Sequence, residues 1–181
     1  MRRITIASFA DIERLERVVR EAAAATMVSL RDLVHHGDDV GALAEMKFKW
    51  VGHDPLAPKR PLNLVEQLNQ SFTYLASCAA VRWLLLHEGE HAPYHLSLGT
   101  EPGHDIISDD QLVKAEVFAA THPGSNNKLK SDAARLEPAV GVKRFVFYLS
   151  PLASPLANIN DVTIVRLDFP MWEPYVATPG A

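Results

Sequence analysis

Cysteine is almost missing from this chain: Cys78 is the only one among 181 residues. That excludes an internal disulfide framework and any multi-cysteine zinc site. Its apolar neighbours Ala76, Ala79 and Ala80 mark it as a small buried filler. Long apolar runs are missing too. The best, Val81 to Leu86, is interrupted by Arg82 and falls short of a membrane span. The opening MRRITIASFA has positive charge but no apolar stretch, so no signal peptide is expected. These absences predict a cytoplasmic protein with no membrane partner. Excess basic charge is also absent. A net charge of −4 counts against a broad basic surface, and so against a stand-alone nucleic-acid binder, but leaves room for a local basic pocket. There is no G-x-S-x-G, P-loop or dinucleotide fingerprint to support a serine hydrolase, nucleotide-dependent or redox reading. No internal repeat or low-complexity segment occurs.

What is present suits one domain: an apolar share of 48% is enough for a core. Ser8 and Asp11 mark a helix start, and Ile12, Leu15, Val18, Val19 and Ala22 follow at helical spacing, with helix expected as far as Val34. A second short helix is expected over Gly41 to Trp50. Gly52, Pro55, Pro58 and Pro61 then read as a punctuated loop. Residues 1–60 are therefore taken as a helical N-terminal extension, and 61–181 as an α/β core. Within the core, Asn63 and Glu66 form a capping box before the apolar stripe Leu64, Leu68, Phe72, Leu75, Ala79, a helix that ends near His87. Periodicity then switches to two. Tyr94, Leu96 and Leu98 alternate with polar residues as a strand. His104 to Asp109 and Leu112 to Thr121 read as a hairpin. Ser125 caps a helix from Asn126, Arg144 to Leu149 is a strand buried on both faces, and Val162 to Phe169 is a last strand. The order helix, three strands, helix, two strands predicts a mixed-sheet α/β layout. Trp50, Trp83 and Trp172 are expected to pack rather than to stack on bases.

The hairpin concentrates the chemistry. With Asp110 and Gln111 as its turn, Asp109 pairs with Leu112 and Asp105 falls opposite Glu116. Facing residues have Cβ atoms about 5 Å apart, so two carboxylates there repel unless a cation sits between them or one holds a proton. Mg²⁺ takes few protein carboxylates and completes its shell with water and phosphate oxygens. Lys114 shares the Glu116 face. Lys128 and Lys130 fall in the first turn of the following helix, where they suit a phosphate or a group of carboxylates. The competing readings are structural: Asp105 caps its loop, Glu116 pairs with a lysine, Glu66 serves only its capping box, and the two helix lysines face solvent.

Asp105, Glu116 in a following strand, Glu66 on a long preceding helix and lysines on the next one together resemble the PD-(D/E)XK nuclease superfamily, over roughly Asn63 to Leu149. The resemblance implies a restriction endonuclease-like core, Mg²⁺ or Mn²⁺ held by Asp105 and Glu116, and phosphodiester cleavage of nucleic acid. The signature lysine belongs two residues after Glu116, where this chain has Phe118, so Lys128 or Lys130 is expected to stand in, with Lys114 behind them. His104 stands where a proline usually precedes the first acid. A non-catalytic interaction protein on the same fold is the alternative from another class. A zinc hydrolase is the third: His87-Glu88-Gly89-Glu90-His91 satisfies H-E-x-x-H, with His95, Glu101 or His104 as a further ligand, although Gly89 breaks the helix the motif requires.

Overall fold

The strand-like alternation gathers into one sheet. The computed structural model describes residues 3–36, 38–98 and 103–168. Its strands are β1 (Arg3–Ile6), β2 (Gly52–Asp54), β3 (Ala57–Leu62), β4 (Tyr94–Ser97), β5 (Ile106–Ser108), β6 (Val113–Ala119), β7 (Lys143–Leu149), β8 (Asn158–Ile159) and β9 (Val162–Leu167). Its helices are α1 (Phe9–His36), α2 (Asp39–Phe48), α3 (Leu64–His87) and α4 (Lys128–Arg135). Seven strands form a mixed sheet in the order β1-β4-β5-β6-β7-β9-β8. β1, β4, β5 and β6 are antiparallel in turn, β7 and β9 run parallel to β6, and β8 closes the edge antiparallel to β9. The expected mixed α/β class is what forms. Among the described residues no helix is long and apolar enough to cross a membrane.

Side-chain alternation divides the interior into two layers. On one face Val113, Ala115 and Val117 of β6 and Phe145 and Phe147 of β7 pack beneath α1 and α3, with Cys78 buried among them. On the other, Phe118, Val146 and Tyr148 meet Leu129, Ala133 and Leu136 of the α4 region. β7 is buried continuously from Phe145 to Leu149 because helices cover both of its faces.

The first sixty residues hold α1 and α2, as expected, and more besides. β1 pairs with β4 and extends the sheet, a strand too short and polar to announce itself. The Pro-punctuated segment, expected as a loop, is the two-stranded hairpin β2–β3. Pro58 and Pro61 are tolerated because β3 is an outer strand with only Leu62 buried. Asp54 holds the hairpin to α3: its carboxylate accepts from Leu56 N at 2.8 Å and from the Tyr74 hydroxyl at 3.3 Å. Ser125 does not cap α4; Asn127, with a left-handed backbone, precedes it. Trp83 packs as expected, edge-on to Phe147. Trp50 does not pack and is 75% exposed. Trp172, the tail from Pro170 and Glu101 lie outside the described residues.

Candidate functional site

β5 is short because side chains take over its ladder at both ends. The pairs Ile106↔Ala115 and Ile107↔Lys114 fix the register. Continued toward the turn, it sets Ser108 opposite Val113, but Val113 N donates to the Ser108 hydroxyl at 2.9 Å. Continued the other way, it sets Asp105 opposite Glu116, as the sequence predicts. There Val117 N donates to Asp105 Oδ2 at 2.8 Å, where an unbroken ladder would offer a main-chain carbonyl. The strands part at the acid pair. The turn is wider than the expected Asp110-Gln111 pair: β5 stops at Ser108 and β6 begins at Val113. Asp109 donates through N to Pro93 O instead of pairing with Leu112, and Gln111, left-handed with φ 63°, donates through N to Ser108 O.

Glu116 is fully buried on the α4 face of β6. Its Oε1 lies 2.8 Å from His104 Nδ1, and Arg135 Nη1 lies 3.0 Å from Oε2. That second contact is an ion pair whose angle leaves Oε2 without a directed hydrogen bond. Arg135 also donates through Nη2 to Gly103 O at 3.0 Å, so it ties the loop before β5 to the buried acid. One turn back on α4, Asp132 is 1% exposed and accepts from Lys128 Nζ at 2.7 Å. Its Oδ2 is buried without a hydrogen-bond partner. Lys128, Asp132 and Arg135 stand at i, i+4 and i+7, one stripe of α4, while Leu129, Ala133 and Leu136 on the adjoining stripe seat the helix on the sheet.

Electrostatics follow from this burial. Glu116 is pushed up to about 8, first by burial and then by the charge of Asp105, against the pull of Arg135. Asp105 is also raised by burial, with the Val117 N–H and Arg135 opposing. Burial, then the charges of Lys114 and Arg135, hold the His104 imidazole below its usual value, which favours its neutral form. The site thus pairs acids reluctant to ionise with a guanidinium, an ammonium and a neutral imidazole.

Of the residues expected here, Asp105, Glu116 and Lys128 come together. Lys130 is exposed and lies two positions along α4 from Lys128, on the opposite side of the helix. Glu66 does not join them: its carboxylate accepts from Asn63 N at 3.0 Å, completing the capping box of a helix that lies on the other face of the sheet. Asp132, Arg135 and the present role of His104 were not foreseen. The 4-3 spacing of Lys128, Asp132 and Arg135 is the signal that marks them as one face. Glu116 Oε2 and Asp132 Oδ2 are thus buried carboxylate oxygens short of hydrogen bonds, but no group of three possible metal ligands found among the described residues includes Asp105 or Glu116.

The H-E-x-x-H geometry does not form. α3 ends at His87, whose Nδ1 lies 2.8 Å from Trp83 O and whose ring stacks on Trp83 at 4.0 Å. Glu88 leaves helical backbone, at φ −136° and ψ 32°. Ligand atoms of Glu88, Glu90 and His91 do converge within 4.8 Å. Lys143 already pairs with both glutamates, and His91 Nδ1 lies 2.7 Å from Asp110 Oδ2. His95 is engaged by Thr5 at 3.1 Å and Asp109 at 2.9 Å.

Compared with protein-family models, with curated proteins and with solved structures, the chain matches none.

Proposed function

We propose that this protein is a Mg²⁺- or Mn²⁺-dependent phosphodiesterase of PD-(D/E)XK type that acts on nucleic acid in the cytoplasm. The observation that carries the reading is the convergence of Asp105 and Glu116 on one sheet face with Lys128 and Arg135 of α4. The run α3, β4, β5, β6, α4, β7, with an antiparallel meander followed by a parallel strand, supports a restriction endonuclease-like core.

In this reading Asp105 and Glu116 hold the metal, which would activate water and offset charge on the scissile phosphate. Lys128 is the lysine that replaces the one missing at Phe118, because it faces the acids where Lys130 does not. Arg135 offers a fork suited to phosphate oxygens. His104, kept neutral, accepts or returns a proton at Glu116 Oε1. A second reading, a non-catalytic interaction protein, is favoured by one observation: His104 and Arg135 already engage both oxygens of Glu116.

The test is incubation of the purified chain with single- and double-stranded DNA and RNA across Mg²⁺ and Mn²⁺ concentrations. Metal-dependent cleavage, lost by about 100-fold or more in Glu116→Gln and in Asp105→Asn while both fold, is the expected outcome. Wild-type protein that cleaves nothing with either metal, yet captures a partner, establishes the non-catalytic reading instead.

A further inference from the structure

We propose that the outer face of α2 is a self-association surface, on which a second copy of this chain packs its own α2 antiparallel about a two-fold axis near Leu43. A surface helix ordinarily turns its apolar stripe inward. In α2 the stripe is reversed. Val40, Leu43, Ala44 and Phe48 share one side of the helix, all are exposed, and none of the ten residues of α2 is buried. Val40 is 75% exposed, Leu43 66% and Phe48 74%, whereas Trp50, also exposed, lines a cleft on the inward side. The inward side carries Gly41, Ala42 and Glu45, which line that cleft against Ser29 and Asp32 of α1. Gly41, Ala42, Glu45 and Met46 are thus the half-buried residues of α2, while Val40, Leu43 and Phe48 face water with Lys47 among them.

With about 150–250 Å² for an aromatic side chain and less for an aliphatic one, Val40, Leu43 and Phe48 present on the order of 400 Å², about half of the roughly 800 Å² that a stable interface takes from each partner. The polar flanks of the helix supply the remainder.

The charges select the occupant. Asp39 stands in the first turn of α2 and Lys47 in the last. They are eight positions apart, about 12 Å along the axis. An antiparallel copy centred on Leu43 therefore brings Asp39 of each chain to Lys47 of the other, and the contact occurs twice, as an isologous interface requires. A parallel copy would set like charge beside like. Ala44, next to Leu43, lets the two helices approach closely at the crossing. In the single chain Lys47 lies over its own Phe48 ring, 5.3 Å from the centroid, and shields part of the stripe.

Sedimentation equilibrium of the full chain over a wide concentration range tests this. A dimer is expected, and Leu43→Glu should leave a monomer with unchanged circular dichroism. Asp39→Lys and Lys47→Asp should each weaken association by about tenfold or more, and the double exchange D39K/K47D should restore it, since the interface then pairs the reversed charges. A wild-type chain that stays monomeric into the high micromolar range overturns the proposal. So does a dimer indifferent to Leu43→Glu, and so does a double exchange that fails to recover what either single change loses.

Discussion

Among the buried groups of the site, the Glu116 carboxyl is shifted furthest from its ordinary value. Glu116 keeps its proton in the folded chain up to about pH 8, while the unfolded chain releases it near the ordinary value of 4.5. Between those limits the native state binds more protons, so stability falls as pH rises through the window. Asp105, raised in the same direction, adds to the slope, and His104, lowered, opposes it below about pH 6.5. Glu116→Gln removes one titration, and unfolding free energy compared at pH 5 and pH 8 should lose on the order of 3–4 kcal/mol of its dependence. An unaltered slope in urea titrations would mean that Glu116 is ionised throughout. Arg135→Ala should cost about 1–3 kcal/mol by the same measurement, more at high pH, because it strands a buried acid. Although a longer loop between Ser108 and Val113 replaces the two-residue turn, the register that sets Asp105 opposite Glu116 was legible in the sequence because strand side chains repeat every two residues. Arg135 was not, because its reach to Glu116 depends on how α4 lies across the sheet. Glu66 misleads for the opposite reason: its local cap is satisfied within four residues, and nothing in that pattern reports which face of the sheet its helix will cover.

The elements were legible where one signal dominated. α3 carries its own capping box and a continuous apolar stripe, so its start could be read to the residue. The β2–β3 hairpin could not. Three prolines and a glycine ordinarily mean a loop, and what makes this one a hairpin is distant: Asp54 accepts from Tyr74, twenty residues on. Gly52 shows how tightly that contact is drawn. A Cβ there would come within 2.3 Å of Thr26 Oγ1 and 2.5 Å of Gln67 Oε1, both on buried residues of the flanking helices. Gly52→Ala should therefore destabilise the fold by about 1–3 kcal/mol in denaturant melts. A neutral effect would show that α1 and α3 yield at this crossing. β1 escaped notice for a different reason, since four residues with one buried side chain give no periodicity to count.

Across the whole molecule the covering is uneven. α1 and α3 roof one face of the sheet along its length, whereas α4 has only eight residues and shields β6, β7 and β9 from the other side. The order of helices and strands carried this layout, because each apolar stripe needs a partner. The outward stripe of α2 is the exception that no single-chain rule explains. Hydrogen exchange on the monomeric Leu43→Glu variant should find the slowest amides in β6 and β7, which are paired on both sides, and the fastest helical amides in α2. Equal protection of α2 and β7 would contradict that ranking. Asp105, meanwhile, serves two masters. The oxygen that meets Val117 N–H stands in for a missing stretch of main chain. A change at this position that abolishes the carboxylate therefore unseams two strands at the same stroke, while asparagine, which keeps an oxygen for that amide, separates loss of charge from loss of the seam.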